Sequence, residues 1–243
     1  MIIAKDLCKT FKDKKRGTVR AVDNVSFECK NGEVFGLLGP NGAGKTTTLR
    51  LLSTSLKPTS GTATICGTDA KTQPEKVRSL IGFLSGNTGL YGRLTAREMV
   101  AYFGKLYSMT KPEIDKRIDI LFTMLDMHDF ADGRNDKLSS GMKQKVSIAR
   151  SVIHDPPVMI FDEPTTGLDV MSSRTIVKFI RQCRDAGKCV IFSTHIMSEA
   201  MRLCDRVAII HNGRIFADST PTDLLAQTGT DNLEDAFIKI VGE

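Results

Sequence analysis

The stretch EVFGLLGPNGAGKTTTLRLL, Glu33–Leu52, decides the fold. Its first part, EVFGLLG (33–39), is an apolar run that reads as a buried strand ending in a glycine turn. KTTTLRLLSTSL (45–56) reads as a helix, with Leu49, Leu52 and Leu56 at helical spacing. The piece between them, GPNGAGKT, fits G-x-x-x-x-G-K-[ST] in the strand–loop–helix context that motif requires. Small residues let backbone N–H groups turn toward phosphate oxygens, and the helix start adds partial positive charge. Lys45 is then expected to reach the β- and γ-phosphates of a nucleotide, and the Thr46 hydroxyl to ligate Mg2+. Gly39, Pro40, Asn41, Gly42, Ala43, Gly44, Lys45, Thr46 and Thr47 are the expected nucleotide contacts.

VMIFDEP (158–164) supplies a partner. Four apolar residues deliver Asp162 to the carboxyl end of a buried strand, where α/β sheets place ligands. Asp162 is a candidate Mg2+ ligand and Glu163 a candidate base or orienting group for an attacking water. His195 ends a third apolar run, CVIFSTH. A lone histidine is usually a satisfied core residue, but this one should emerge on the same sheet edge as Asp162. There it could hydrogen-bond a γ-phosphate or hold the attacking water.

The rest of the chain frames these runs. MIIAKDLCKTF, RAVDNVSFECK and GTATICG read as strands near the start. From Leu94 the pattern turns helical. Thr95 and Glu98 make a capping box, with Met99, Phe103, Leu106 and Tyr107 on one face. Pro112 starts a second helix with the stripe Ile114, Ile118, Leu121, Phe122 and Leu125. A helix after Gly141 completes this group. A helix stopped by Gly187, another within MSEAMRLC, and a hairpin around Asn212-Gly213 follow. Strands alternating with helices imply a mostly parallel sheet. The expected fold is α/β: a mostly parallel core sheet, an antiparallel N-terminal β part and an inserted helical subdomain at about 88–155, all within one domain, 1–243.

Composition narrows the function. The 243 residues are 41% hydrophobic and 26% charged, with net charge +6. Part of that charge is the run Lys12–Arg16, which reads as a solvated loop. No Trp is present and aromatics are only 6%, so nucleic-acid binding is not expected. Six cysteines without a C-x-x-C pair argue against a metal site and for reduced thiols. There is no signal-peptide pattern and no apolar run of ~18 residues, so the chain is not expected to cross a membrane.

DKLSSGMKQKVSIARSV (136–152) holds a second small-residue segment opening a basic helix, in a chain that already has a phosphate loop. In order, GPNGAGKTT, LSSGM, FDEPTTGLD and STH resemble the nucleotide-binding subunits of ABC transporters over nearly the whole chain. In that family two subunits pack head to tail around two ATPs, and the serine-glycine signature faces the γ-phosphate held by the other chain. The resemblance therefore implies phosphate contacts from Ser139, Ser140 and Gly141 of a second copy. It also implies an interface role for Thr166–Asp169 and Asp169, and adenine stacking on Phe11, whose alternative is a core position. Its further implications are ATP hydrolysis and a separate integral-membrane permease, with the chain peripheral on the cytoplasmic membrane face. Within the family the chain looks most like bacterial sodium-exporter subunits, while drug, peptide and lipid exporters remain alternatives.

Two departures stand out. Ser140 and Met142 replace the usual glycine and glutamine of the signature. Gly86 occupies the position of a glutamine that touches Mg2+ and water, with Asn87 next to it as a possible substitute. Leu90, Tyr91, Phe103 and Tyr107 match the region that docks the permease, or are subdomain core. The chain lacks the fused second domain or long coiled coil of soluble ABC-type switches and the guanine-specificity motif of a GTPase, and a phosphoryl-transferring kinase would not explain LSSGM or TGLD.

Overall fold

Five consecutive buried residues, Val34–Leu38, form β3, and the same full burial recurs in β7 (Val158–Asp162) and β8 (Cys189–Thr194). Strands apolar on both faces belong in the middle of a sheet covered by helices. The computed structural model, which describes residues 1–13, 17–86 and 89–242, places them there. Upstream lie β1 (Ile2–Asp13) and β2 (Gly17–Cys29). After β3 come α1 (Lys45–Leu52), β4 (Ser60–Ile65), β5 (Thr68–Asp69), α2 (Pro74–Leu80) and β6 (Ile81–Leu84). The helices α3 (Ala96–Leu106), α4 (Lys111–Met124) and α5 (Ser140–Val152) precede β7. Then follow α6 (Val170–Asp185), β8, α7 (Met197–Leu203), β9 (Arg206–His211), β10 (Arg214–Ser219), α8 (Pro221–Thr228) and α9 (Leu233–Val241).

The core sheet runs β10-β9-β3-β8-β7-β6. All its pairings are parallel except the β9–β10 hairpin. A second, antiparallel sheet runs β2-β1-β4-β5. This is the α/β arrangement expected from the sequence. One apolar core lies between the antiparallel sheet, α1 and one face of the core sheet, around Leu7, Phe35, Leu37, Leu49, Ile160 and Ile191. The other joins the opposite face to α3–α6, around Leu38, Phe122, Ile148, Phe161 and Phe179.

Local rules explain most boundaries. Thr95 and Glu98 form the expected capping box, and Thr110 with Glu113 forms a second one ahead of Pro112. The whole stripe Ile114, Ile118, Leu121, Phe122 and Leu125 is buried. Two expectations need correction. α1 ends at Leu52, so Leu56 lies beyond it and packs on the core from a turn. Leu106 shares the α3 pattern but is 61% exposed, because the buried face of that helix is set by Ala96, Met99, Val100 and Gly104. All six cysteines are free thiols, four of them buried. The Lys14–Arg16 part of the basic run and Asn87 lie outside the described residues.

Candidate functional site

Register brings the candidate residues together. Leu38 pairs with Thr194, and Asp162 with Ser193, in adjacent parallel ladders. The residues that follow, Gly39, Glu163 and His195, therefore leave the sheet at one carboxyl edge. Beyond Gly39 the chain turns through Pro40–Gly44 into α1. Gly44 is the N-cap of α1 at φ 107, with no side-chain cap. A Cβ there would meet the Ala21 carbonyl oxygen at 2.5 Å, so a left-handed backbone and a close approach both require glycine.

Lys45 folds back over this turn. Its Nζ donates to Gly39 O (2.7 Å) and Pro40 O (3.1 Å) and lies 3.4 Å from Glu163 Oε1. Burial pushes its ammonium below the usual lysine value, against the opposing pull of Glu163 and Asp162. Thr46 Oγ1 donates to Asp162 Oδ1 (3.1 Å), which also accepts from Ser193 Oγ (2.7 Å). Ser193 was not singled out in the sequence. It is fully buried and also accepts from Glu163 N (3.1 Å), so it fixes both acids.

Glu163 has φ 49, a left-handed conformation uncommon for a side chain of this size. His195 Nδ1 lies 3.2 Å from Glu163 Oε1 but off the hydrogen-bond direction, so the contact is electrostatic. Burial raises the Glu163 pKa. His195 and Lys45 outweigh burial and hold it below the usual glutamate value. A cavity of about 380 Å³ opens here, lined by Asn41, Thr46, Arg50, Gly86, Gln144, Asp162, Glu163 and Thr166. A smaller one of about 130 Å³ continues along Gly42, Gly44, Lys45, Thr46 and Thr47. Ala43 is buried, whereas Pro40 and Asn41 are exposed. A Cβ at Gly86 would meet nothing within 4 Å among the described residues.

At the second helix start, Ser139, Ser140 and Gly141 line neither cavity, although Gln144 further along α5 lines the larger one. Ser139 caps α5 by accepting from Met142 N (3.3 Å), and Ser139 and Ser140 are exposed. Gly141 is buried against Asp169 and Ser172; a Cβ there would meet Ser172 Oγ at 2.1 Å. Asp169 caps α6, accepting from Ser172 N (2.9 Å) and Ser172 Oγ (2.7 Å). Phe11 is not a core residue: it is 38% exposed, with the Lys9 ammonium 5.3 Å from its ring centre.

Residues 22–166 match the ABC transporter family model. The chain is an ABC transporter ATP-binding subunit. As such it is an ATPase. It is similar to "ABC transporter ATP-binding protein NatA" of Bacillus subtilis strain 168, at 44% identity over 98% of this chain and 97% of that one. It is 36% identical to "Probable multidrug ABC transporter ATP-binding protein YbhF" of Escherichia coli K12, over 99% of this chain but only 42% of that longer protein. Among solved structures, the dimeric post-hydrolysis state of the cassette MJ0796 bound to ADP and Pi superposes with TM-score 0.82. It is 28% identical, and the match covers 90% of this subunit and 98% of that chain.

Among the described residues no helix is long and apolar enough to cross a membrane.

Proposed function

We propose that this subunit powers an ABC exporter from the cytoplasmic face of the membrane, hydrolysing ATP at sites shared between two copies of the chain. The observation that carries the reading is the convergence of Lys45, Thr46, Asp162 and Glu163 on two cavities that share Asn41, Thr46 and Glu163, with His195 beside Glu163 at the same sheet edge. Gly39–Thr47 cradle the phosphates. Lys45 exchanges its carbonyl and Glu163 contacts for phosphate oxygens, which frees the Glu163 carboxylate. Glu163 then accepts the proton of a water attacking the γ-phosphate, and His195 holds the transferring charge. The depressed pKa of Glu163 keeps it ionised, as an acceptor must be.

Thr46 and Asp162 suit Mg2+. They offer a hydroxyl and a carboxylate, hard oxygen ligands, and two protein ligands suffice where phosphates and water complete the shell. Asp162 Oδ2 takes none of the described hydrogen bonds. When bound, Mg2+ would neutralise charge on the β- and γ-phosphates.

Ser139, Ser140 and Gly141 are exposed or buried away from this chain's own cavity, which supports their facing the ATP of a second copy. Asp169 supports that face by capping α6 against Gly141. Phe11, on the surface, is available to stack on adenine. Exposed Tyr91 packs edge-on against Tyr102, which packs edge-on against Phe103; Tyr107 is exposed near Phe103, whose ring lies 5.3 Å from the Arg150 guanidinium. This patch is the proposed contact for the permease. Sodium is the proposed cargo because the sequence motifs resemble those of bacterial sodium-exporter subunits. The similarity to YbhF keeps an organic cargo as the second reading.

The test is the mass in solution of the Glu163→Gln subunit with and without Mg-ATP. An ATP-dependent dimer, lost when Ser139→Arg is added, is expected. A monomer that still binds ATP would refute the shared site for the isolated chain.

A further inference from the structure

We propose that Glu199 is a positioning residue for hydrolysis: one carboxylate oxygen ties the segment carrying Glu163 to the segment carrying His195. This inference rests on the roles proposed above for those two residues. The β7–β8 ladder ends at Asp162 and Ser193. Past it, Glu163 N still donates to Ser193 O (3.2 Å) and Oγ (3.1 Å), and then the two main chains part. Side chains continue the link where the backbone stops. Thr165 Oγ1, two residues beyond Glu163, donates to Glu199 Oε2 at 2.9 Å. Thr194 Oγ1, immediately before His195, donates to the same oxygen at 3.1 Å.

The chemistry of the acceptor gives the fork its direction. A carboxylate only accepts, so both hydroxyl protons point at Glu199. With its proton committed, Thr194 Oγ1 turns a lone pair to Ile196 N, from which it accepts at 2.9 Å. His195 is thereby bracketed by two residues bound to one hydroxyl. Thr165 and Thr194 are only 4% and 1% exposed, so water does not readily replace Glu199. The bonds are charge-assisted and correspondingly strong. Glu163 is reached from the other side: Thr165 lies in the turn closed by Thr166 N donating to Glu163 O (3.4 Å), and Thr166 Oγ1 donates to Glu163 Oε2 (3.3 Å). Glu199 itself does not line the cavity next to Asp162. It acts through the two threonines, on where Glu163 and His195 stand relative to each other. Misplacement of a reacting group by about 1 Å can cost ~100-fold in rate.

The experiment compares kcat and KM for ATP in the full-length chain. Glu199→Ala should lower kcat about ten-fold or more while KM stays within about two-fold, because the Gly39–Thr47 loop is untouched. Glu199→Gln keeps an acceptor oxygen at the same reach and should restore kcat to within about three-fold. Thr165→Val, nearly isosteric, should lower kcat with the same KM pattern and add little to Glu199→Ala, since both cut one link. A Glu199→Ala kcat within about two-fold of the unsubstituted chain overturns the inference, as do independent, multiplying losses. If Glu199→Ala does not fold, Thr165→Val decides: an unchanged kcat overturns the inference, and a lowered kcat at constant KM supports it. Glu163→Gln and His195→Ala run beside these. If they lose turnover while the Glu199 and Thr165 variants keep it, only the positioning role falls. If they keep turnover, the reading of the site itself falls and takes this inference with it.

Discussion

The helix that opens at Lys45 and the helix that opens at Ser140 begin in opposite ways. α1 starts from Gly44, which has no side chain to cap it, and its turn is backed by its own chain at Ala21 and Gly213. α5 starts from Ser139, which caps it with a hydroxyl, yet its first residues face outward. They share one property: neither has an acid at the N-cap or in the first turn. Each of the other described α-helices has one, including α6, whose N-cap is Asp169. Acids are what a helix start normally favours. Two starts without an acid, one walled in and one exposed, fit the proposal that they are two halves of one phosphate site shared between copies of the chain.

Substitutions at the two starts should separate these roles. Lys45→Ala should have the largest effect. It removes charge-assisted contacts worth ~1.5–3 kcal/mol each, so ATP affinity should fall about 100-fold or more in a fluorescent-nucleotide titration. Retained affinity would mean the walled start is not the phosphate site. Gly44→Ala comes next, because it meets an unyielding backbone oxygen at 2.5 Å with φ at 107. It should destabilise the chain by about 2–4 kcal/mol in denaturant unfolding.

Gly141→Ala should cost less, about 1–2 kcal/mol, since the obstacles are the Ser172 Oγ at 2.1 Å and Cβ at 2.8 Å, both in a side chain, and alanine favours the helix. Adding Ser172→Gly should recover part of the loss, which a rigid clash would not allow. Ser139→Ala should have the smallest effect on stability, about 1 kcal/mol or less for a lost cap. It should nevertheless weaken the ATP-dependent dimer of the Glu163→Gln chain. A dimer unaffected by Ser139→Ala would leave the outward start as an ordinary capped helix.

The contrast also marks what was legible beforehand. The phosphate loop, Asp162, Glu163 and His195 announced themselves because each follows an apolar run, and register does the rest. Ser193 and Glu199 did not. A serine inside CVIFSTH and a glutamate in a short helix carry no local signature, and their meaning lies in bonds between distant segments. β6 was missed because IGFL is four residues long and gains its identity only by pairing with β7. Leu106 misled for the converse reason: helical spacing says which residues share a face, not whether anything covers that face. Leu56 keeps the spacing but not the helix, which stops at Leu52.

The backing of the Lys45 turn has a consequence for how the chain is made. Gly213 N donates to Ala43 O (2.9 Å), Asp23 N donates to Gly213 O (2.8 Å), and Gly39 lies against the Ile210 carbonyl. The nucleotide loop therefore leaves the ribosome early but waits for the β9–β10 hairpin, near the far end of the chain, before its walls exist. Such long-range closure slows folding and exposes the intermediate to misassembly. Nucleotide affinity in this subunit is therefore expected to be a late acquisition, and chains stalled short of that hairpin should emerge without it.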